Sequence, residues 1–193
     1  MLTAERTALN FLGHLSGIAT VVAAFVEEAG RGGAARIWDT RKTTPGLRSL
    51  EKAAVRAGGG ANHRGNLSEW VMLKDNHLVA LGITDAVRQA RLSWPGRTVQ
   101  VECDTYEQAV EAIEAGADAL LLDNMEPADL RRCVEVADGA QRRPLLEASG
   151  GITIDTVAAV AATGVDMISV GAITNSAPVL DVGLDLDPPK QRS

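Results

Sequence analysis

Thiols are scarce in this chain, and that scarcity excludes two classes of protein at once. Only 2 cysteines occur in 193 residues. Cys103 and Cys133 lie far apart, with no CxxC spacing and no Cys/His cluster, so neither a zinc site nor a disulfide framework is signalled. Buried thiols in a reducing cytosol fit that usage. Basic charge is also short: Lys plus Arg number 19 against 25 Asp plus Glu, a net charge of -6. Proteins that bind nucleic acid or membrane surfaces usually show a basic excess, so any anion site here must be local. Long hydrophobic runs are missing too. The longest, Ile18 to Val26, is too short to span a bilayer, and Met1 opens into polar residues without a secretory pattern. The sequence therefore reads as soluble and cytoplasmic.

What is present is apolar content, 46% of the residues, enough for one core-bearing domain. Six short aliphatic runs alternate with helical patterns: Arg36 to Thr40, Trp70 to Leu73, Val99 to Cys103, Ala119 to Leu122, Leu145 to Ala148 and Met167 to Val170. Such runs suit strands buried on both faces of a parallel sheet. The helices between them carry end signals, a capping box at Thr105 and Gln108, Pro127 in a first turn, and Gly116 and Gly164 at C-terminal left-handed positions. No dinucleotide-type glycine fingerprint follows the first strand, which favours a (β/α) barrel over an open doubly wound sheet. The expected fold is α/β, a parallel TIM-like barrel, incomplete or open, of six to seven strands.

Two segments fall outside this rhythm. Leu2 to Ala29 places Leu9, Leu12, Leu15, Ile18, Val22 and Phe25 at helical spacing, so it predicts one long amphipathic helix or two joined near Gly17. Leu180 to Leu186 alternates apolar and polar residues, which predicts a half-buried strand needing a partner sheet that the chain does not obviously supply. The expected organisation is a helical segment over 1–30, a catalytic barrel over 31–176, and a C-terminal strand and tail over 177–193.

Barrel enzymes assemble their sites at the C-terminal ends of the strands, and nearly every end here is polar. The first runs into Asp39-Thr40-Arg41-Lys42-Thr43-Thr44-Pro45-Gly46-Leu47-Arg48, where Arg41 can grip a carboxylate or phosphate bidentately and Lys42 offers a point charge. Asn62-His63-Arg64 precedes the second strand and Lys74-Asp75-Asn76-His77 follows it. The third and fourth deliver Glu102 and Asp123. The fifth and sixth end in Ser149-Gly150-Gly151 and Gly171-Ala172, turns whose bare N–H groups can hold a phosphate. Singly, each has a plainer reading: a solvated basic loop, a structural histidine, a tight turn, a capping carboxylate. Together they suit a substrate bearing carboxylates, a phosphorylated sugar and a divalent metal.

These motifs also resemble the quinolinate phosphoribosyltransferases, or nicotinate-nucleotide pyrophosphorylases (carboxylating). The similarity runs through Leu2 to Asn10, Ser16 to Thr20, Asp39 to Arg48, Gly58-Gly59-Gly60, Asn62-His63-Arg64 and Lys74 to His77. It continues through Val101-Glu102, Leu122 to Met125, Glu147 to Ile152, Val165-Asp166 and Ile168 to Ala172. The resemblance implies that quinolinate and phosphoribosyl pyrophosphate give nicotinate mononucleotide, pyrophosphate and carbon dioxide, with Mg2+. It implies that Arg41, His63, Arg64 and Lys74 surround the quinolinate carboxylates with Thr40 and Lys42 close by. Lys42, Lys74, Glu102 and Asp123 would be catalytic, with Glu102 and Asp123 facing ribose and metal, and Ser149, Gly150, Gly151, Gly171 and Ala172 would hold the 5'-phosphate.

The resemblance implies a homodimer or higher homo-oligomer in the complete form, and an N-terminal α/β domain ahead of the segment matched here. The orphan strand Leu180 to Leu186 would return to that domain's sheet. Gly13 and Gln100 depart from the family pattern and touch none of the expected roles. Two other readings stay open: a remnant that binds quinolinate or phosphate with little turnover, and a related barrel with a changed substrate. Retention of Arg41 and His63-Arg64 favours a dicarboxylate over the latter.

Overall fold

A computed structural model describes residues 2–185 of the chain. The first helix, α1 (Leu2–Gly32), runs unbroken through Gly17. Its helical spacing aligns Ile18, Val22, Phe25 and Ala29 on one buried face. By length and hydropathy alone, residues Ala4–Gly32 could cross a membrane. Instead that face packs on helices α2 (Arg48–Ala57) and α7 (Val157–Ala161). The glycines of α1 serve close approach, not a bend. A Cβ on Gly17 would lie 1.9 Å from the Pro178 carbonyl oxygen, and one on Gly13 2.5 Å from that of Leu180.

The remaining elements follow in β/α order: β1 (Arg36–Trp38), α2, β2 (Trp70–Leu73), α3 (Asp75–Leu81), α4 (Ile83–Ser93) and β3 (Thr98–Cys103). Then come α5 (Tyr106–Glu114), β4 (Ala119–Asp123), α6 (Pro127–Asp138), β5 (Leu145–Ser149), α7, β6 (Met167–Ser169) and α8 (Ala172–Asn175). All strand pairs are parallel, in the order β1-β6-β5-β4-β3-β2. The sheet curls as an open barrel with β1 and β2 as its edges. Ala61 partly extends the β1 edge, since it accepts from Asp39 N at 3.1 Å and donates to the Ile37 carbonyl at 2.8 Å.

The strands are buried on both faces, with Val99, Val101, Leu120, Leu122, Leu146 and Ile168 all inaccessible to solvent. Their helices stop where the sequence signals stop. Thr105 and Gln108 form the reciprocal capping box of α5, Pro127 opens α6, and Gly116 and Gly164 take φ +80° and +94°. Cys103 and Cys133 are buried thiols, and burial pushes Cys133 up to about 11, so neither is a ready nucleophile.

One expectation needs correction. Within the predicted strand Leu180 to Leu186, residues 180–185 form no strand ladder, and Leu186 lies outside the described residues. The apolar alternation is real, but a strand requires a partner edge, and among the described residues this segment pairs with none. The segment runs instead along α1, where the Leu180 N–H donates to the Gly13 carbonyl at 3.1 Å. The glycines at 13 and 17 are what let backbone meet helix there.

Candidate active site

At the C-terminal rim lies a cavity of about 350 Å3 lined by Thr40, Arg41, Lys42, His63, Arg64, Met72, Lys74, Glu102, Leu121, Asp123, Glu147, Ser149 and Ser169. Every strand except β1 contributes a residue directly, and β1 does so through the loop that follows it. The sequence-read residues Thr40, Arg41, Lys42, His63, Arg64, Lys74, Glu102, Asp123 and Ser149 are therefore brought together. Gly150, Gly151, Gly171 and Ala172 border the cavity without lining it. Gly150 and Gly151 take φ +92° and +60°, and the Cα of Gly171 packs so closely on Lys42 that a Cβ would meet its Cδ at 3.0 Å.

The cationic loop after β1 is held in place from three sides. The Thr40 hydroxyl accepts from Lys42 N at 3.0 Å, and Thr174 of α8 donates to the Lys42 carbonyl at 2.8 Å. Glu51 of α2, fully buried, accepts from Thr44 N at 3.1 Å and lies 2.8 Å from His14 Nε2 of α1. Arg48, read in sequence as a third loop cation, lies outside the cavity. Its guanidinium bonds the carbonyls of Gly65 and Arg41 at 3.0 and 3.2 Å and the Thr43 hydroxyl at 3.1 Å.

The His63-Arg64 segment is fixed by a buried ion pair that sequence inspection did not find. Asp39 at the end of β1 accepts from Lys52 Nζ at 2.5 Å, from His63 N at 2.7 Å and from Asn62 Nδ2 at 2.7 Å. Lys52 also donates to the His63 carbonyl at 2.8 Å. Arg64 then bridges toward the open edge of the barrel, donating to the Trp70 carbonyl at 3.3 Å. Its pKa is lowered first by burial and then by the positive charge of Arg41, with the Glu147 carboxylate opposing. Arg41 and Arg64 both line the cavity and present positive charge to it.

Across the cavity, Lys74 pairs with Glu102, and Asp123 accepts from Asn124 Nδ2 at 2.8 Å. Asn124 holds φ +54° while its N–H donates to the Ser149 carbonyl at 2.8 Å, tying the end of β4 to the glycine turn after β5. No cluster of three or more His, Cys, Asp or Glu positioned for a metal occurs among the described residues. Glu102 and Asp123 are two carboxylates lining the same cavity, the residue type that could serve Mg2+.

Sequence reading missed Met72, Leu121, Glu147 and Ser169 in the lining, and Gln100 behind it. The available signal was a buried strand interrupted mid-run by a charge, as in Leu145-Leu146-Glu147-Ala148.

The family model for "Quinolinate phosphoribosyl transferase, C-terminal domain" matches residues 18–185. The chain belongs to this family. It is 47% identical over 187 residues to the nicotinate-nucleotide pyrophosphorylase [carboxylating] of Mycobacterium leprae, covering 96% of this chain and 66% of that protein. It is 46% identical to the human protein of the same name, covering 96% of this chain and 64% of the relative. The crystal structure of nicotinate-nucleotide pyrophosphorylase from Ehrlichia chaffeensis superposes with a TM-score of 0.90 at 41% identity, over 97% of this chain and 67% of that one. The chain thus spans about two thirds of the length of these relatives. Family membership agrees with the open parallel α/β sheet.

Proposed function

We propose that this site transfers a phosphoribosyl group from phosphoribosyl pyrophosphate to quinolinate, with decarboxylation, giving nicotinate mononucleotide, pyrophosphate and carbon dioxide for NAD synthesis. The observation that carries this reading is the meeting of two charge sets in one cavity. Arg41, Lys42, Arg64 and Lys74 supply cations, while Glu102, ion-paired to Lys74, and Asp123, in register with Ser149, supply carboxylates. A dicarboxylate needs the first group, and a phosphorylated ribose with its metal needs the second.

In this mechanism Arg41 and Arg64 grip the two carboxylates of quinolinate and so aim the pyridine nitrogen at the anomeric carbon of the donor. Pyrophosphate departs as the C–O bond to that carbon breaks, and the ring nitrogen forms the new C–N bond. Glu102 and Asp123 stabilise the positive charge that develops on the ribose. The same pair would hold Mg2+, whose charge assists the leaving pyrophosphate. The bond from ring C2 to its carboxylate then breaks as carbon dioxide leaves, its electron pair stays on C2 stabilised by the adjacent quaternised nitrogen, and C2 takes a proton from water. The 5'-phosphate rests on the turns at Ser149, Gly150, Gly151, Gly171 and Ala172, where N–H groups and a hydroxyl are available. We place the reaction in the cytosol, carried out by a homodimer or larger homo-oligomer.

The test is to incubate the protein with quinolinate, phosphoribosyl pyrophosphate and Mg2+ and to follow nicotinate mononucleotide by chromatography together with carbon dioxide labelled from the C2 carboxylate. Nicotinate in place of quinolinate should give no product, because one guanidinium would be left without its carboxylate. Binding of quinolinate without product would favour the non-catalytic reading. Product from nicotinate at a comparable rate would overturn the dicarboxylate assignment.

A further inference from the structure

Both ring nitrogens of His63 are committed. Nδ1 accepts from the backbone N–H of Arg64 at 2.7 Å, so Nδ1 carries no proton. Nε2 lies 2.9 Å from Oε2 of Glu147, and a carboxylate oxygen only accepts, so the ring proton sits on Nε2. The same Oε2 accepts from Gln100 Nε2 at 2.5 Å. Glu147 and Gln100 are 1% and 0% exposed on β5 and β3, and Oε1 of Glu147 has no partner among the described residues. Trp38 and Trp70 confine the imidazole, with ring centroids 5.8 and 5.1 Å from its own.

We propose that Glu147, steadied by Gln100, is a positioning residue that keeps the ring proton of His63 on Nε2, while the Arg64 N–H donated to Nδ1 leaves no room for a second proton. The cationic charge facing an anion in the cavity is then carried by Arg41, Lys42, Arg64 and Lys74, not by an imidazolium. The tautomer matters because a proton on Nδ1 would face the Arg64 N–H across 2.7 Å and break the bond that sets the backbone of Arg64. Glu147 thereby places Arg64 without touching it. Its consequence for substrate rests on the quinolinate reading above, whereas the tautomer belongs to the ligand-free protein and is tested there.

The experiment is 15N-detected NMR of the full chain with labelled histidine, with His63 assigned against His63→Gln; the chain has only 3 histidines to separate. Expected are a pyridine-type shift for Nδ1 and a pyrrole-type shift for Nε2, with the Nε2 proton far downfield against its carboxylate acceptor. Glu147→Gln keeps an oxygen acceptor of the same shape, so the tautomer persists while that proton moves upfield. Glu147→Ala, if folded, gives a tautomer mixture and weakens quinolinate binding roughly tenfold, about the contribution of one charge-assisted hydrogen bond. An Nδ1–H pattern or an imidazolium in the wild type overturns the proposal, as does an unmoved proton in Glu147→Gln. If the NMR pattern holds and wild-type protein binds no quinolinate, the functional reading fails and the tautomer assignment stands.

Discussion

Lys74 Nζ lies 3.0 Å from Oε1 and 2.8 Å from Oε2 of Glu102, so one proposed carboxylate-gripping cation is paired to one proposed metal ligand. The hydrogen bond runs to Oε1, and Oε2 is left with the ion-pair contact alone. The side chain of Lys74 is 45% exposed and that of Glu102 15%, so the pair is partly wet and contributes little to folding. Its significance is that a change at one group alters the charge available to substrate at the other.

Glu102→Gln should therefore separate binding from turnover. Releasing Lys74 leaves it free for a quinolinate carboxylate, so quinolinate affinity should hold or rise. Loss of the carboxylate from the ribose and metal side should lower kcat on the order of 100-fold, the effect of removing one preorganised electrostatic group. Steady-state kinetics alongside calorimetric titration of quinolinate would check both arms. A fall in affinity with unchanged kcat would remove Glu102 from the ribose side.

Arg41 makes the complementary case. It is the cation next to Arg64 whose charge lowers that residue's pKa, so a dianion between them relieves repulsion as well as gaining two charge-assisted bonds. Arg41→Ala should weaken quinolinate binding by about 2 to 4 kcal/mol. Arg41→Lys should recover only part of the loss, because an ammonium cannot present the planar fork. Unaltered titration isotherms for the alanine variant would exclude Arg41 from the acceptor site.

The strands and the rim were legible because a buried parallel strand must be an apolar run, and a polar residue directly after it has a fixed address. That logic found Asp123 after Leu122, and took Glu102 from the C-terminal end of its strand, next to Cys103. It could not find Glu147, which points into the barrel from inside a strand, or the pairing of Asp39 with Lys52 across 13 residues of sequence. Those depend on curvature and on where a helix lands, and neither is written in local pattern. The tail at 180–185 failed the other way, since alternation states a preference for a sheet and cannot supply one.

Asp39 and Lys52 carry a stability prediction. Asp39 is fully buried and accepts from three donors, and Lys52 is 8% exposed. Asp39→Ala should cost about 3 to 5 kcal/mol in urea unfolding, because the Lys52 charge is left buried without a counterion. Replacing both, Asp39→Ala with Lys52→Met, should restore much of the loss. The double variant should still bind quinolinate poorly, since His63 N would have lost the oxygen that fixes it. A double variant as unstable as the single one would show that the ion pair is not the source of the cost.

The glycine turn after β5 gives the last test. Gly150 holds φ +92°, a region that costs an L side chain roughly 1 to 2 kcal/mol. A Cβ there would also lie 2.2 Å from Oδ1 of Asn124, whose amide donates to Asp123 and whose N–H caps Ser149. Gly150→Ala should therefore displace Asn124, and with it Asp123 and the phosphate turn together. The neighbouring Gly151 is a control for positive φ without the clash, since its φ is +60° and a Cβ there meets nothing within 4 Å. Both alanine variants should lose stability in thermal unfolding. Only Gly150→Ala should in addition lower kcat and weaken phosphoribosyl pyrophosphate binding, by tenfold or more if Asp123 faces the ribose. Equal catalytic losses in the two variants would mean that backbone strain alone acts, and that Asn124 does not couple the carboxylate to the turn.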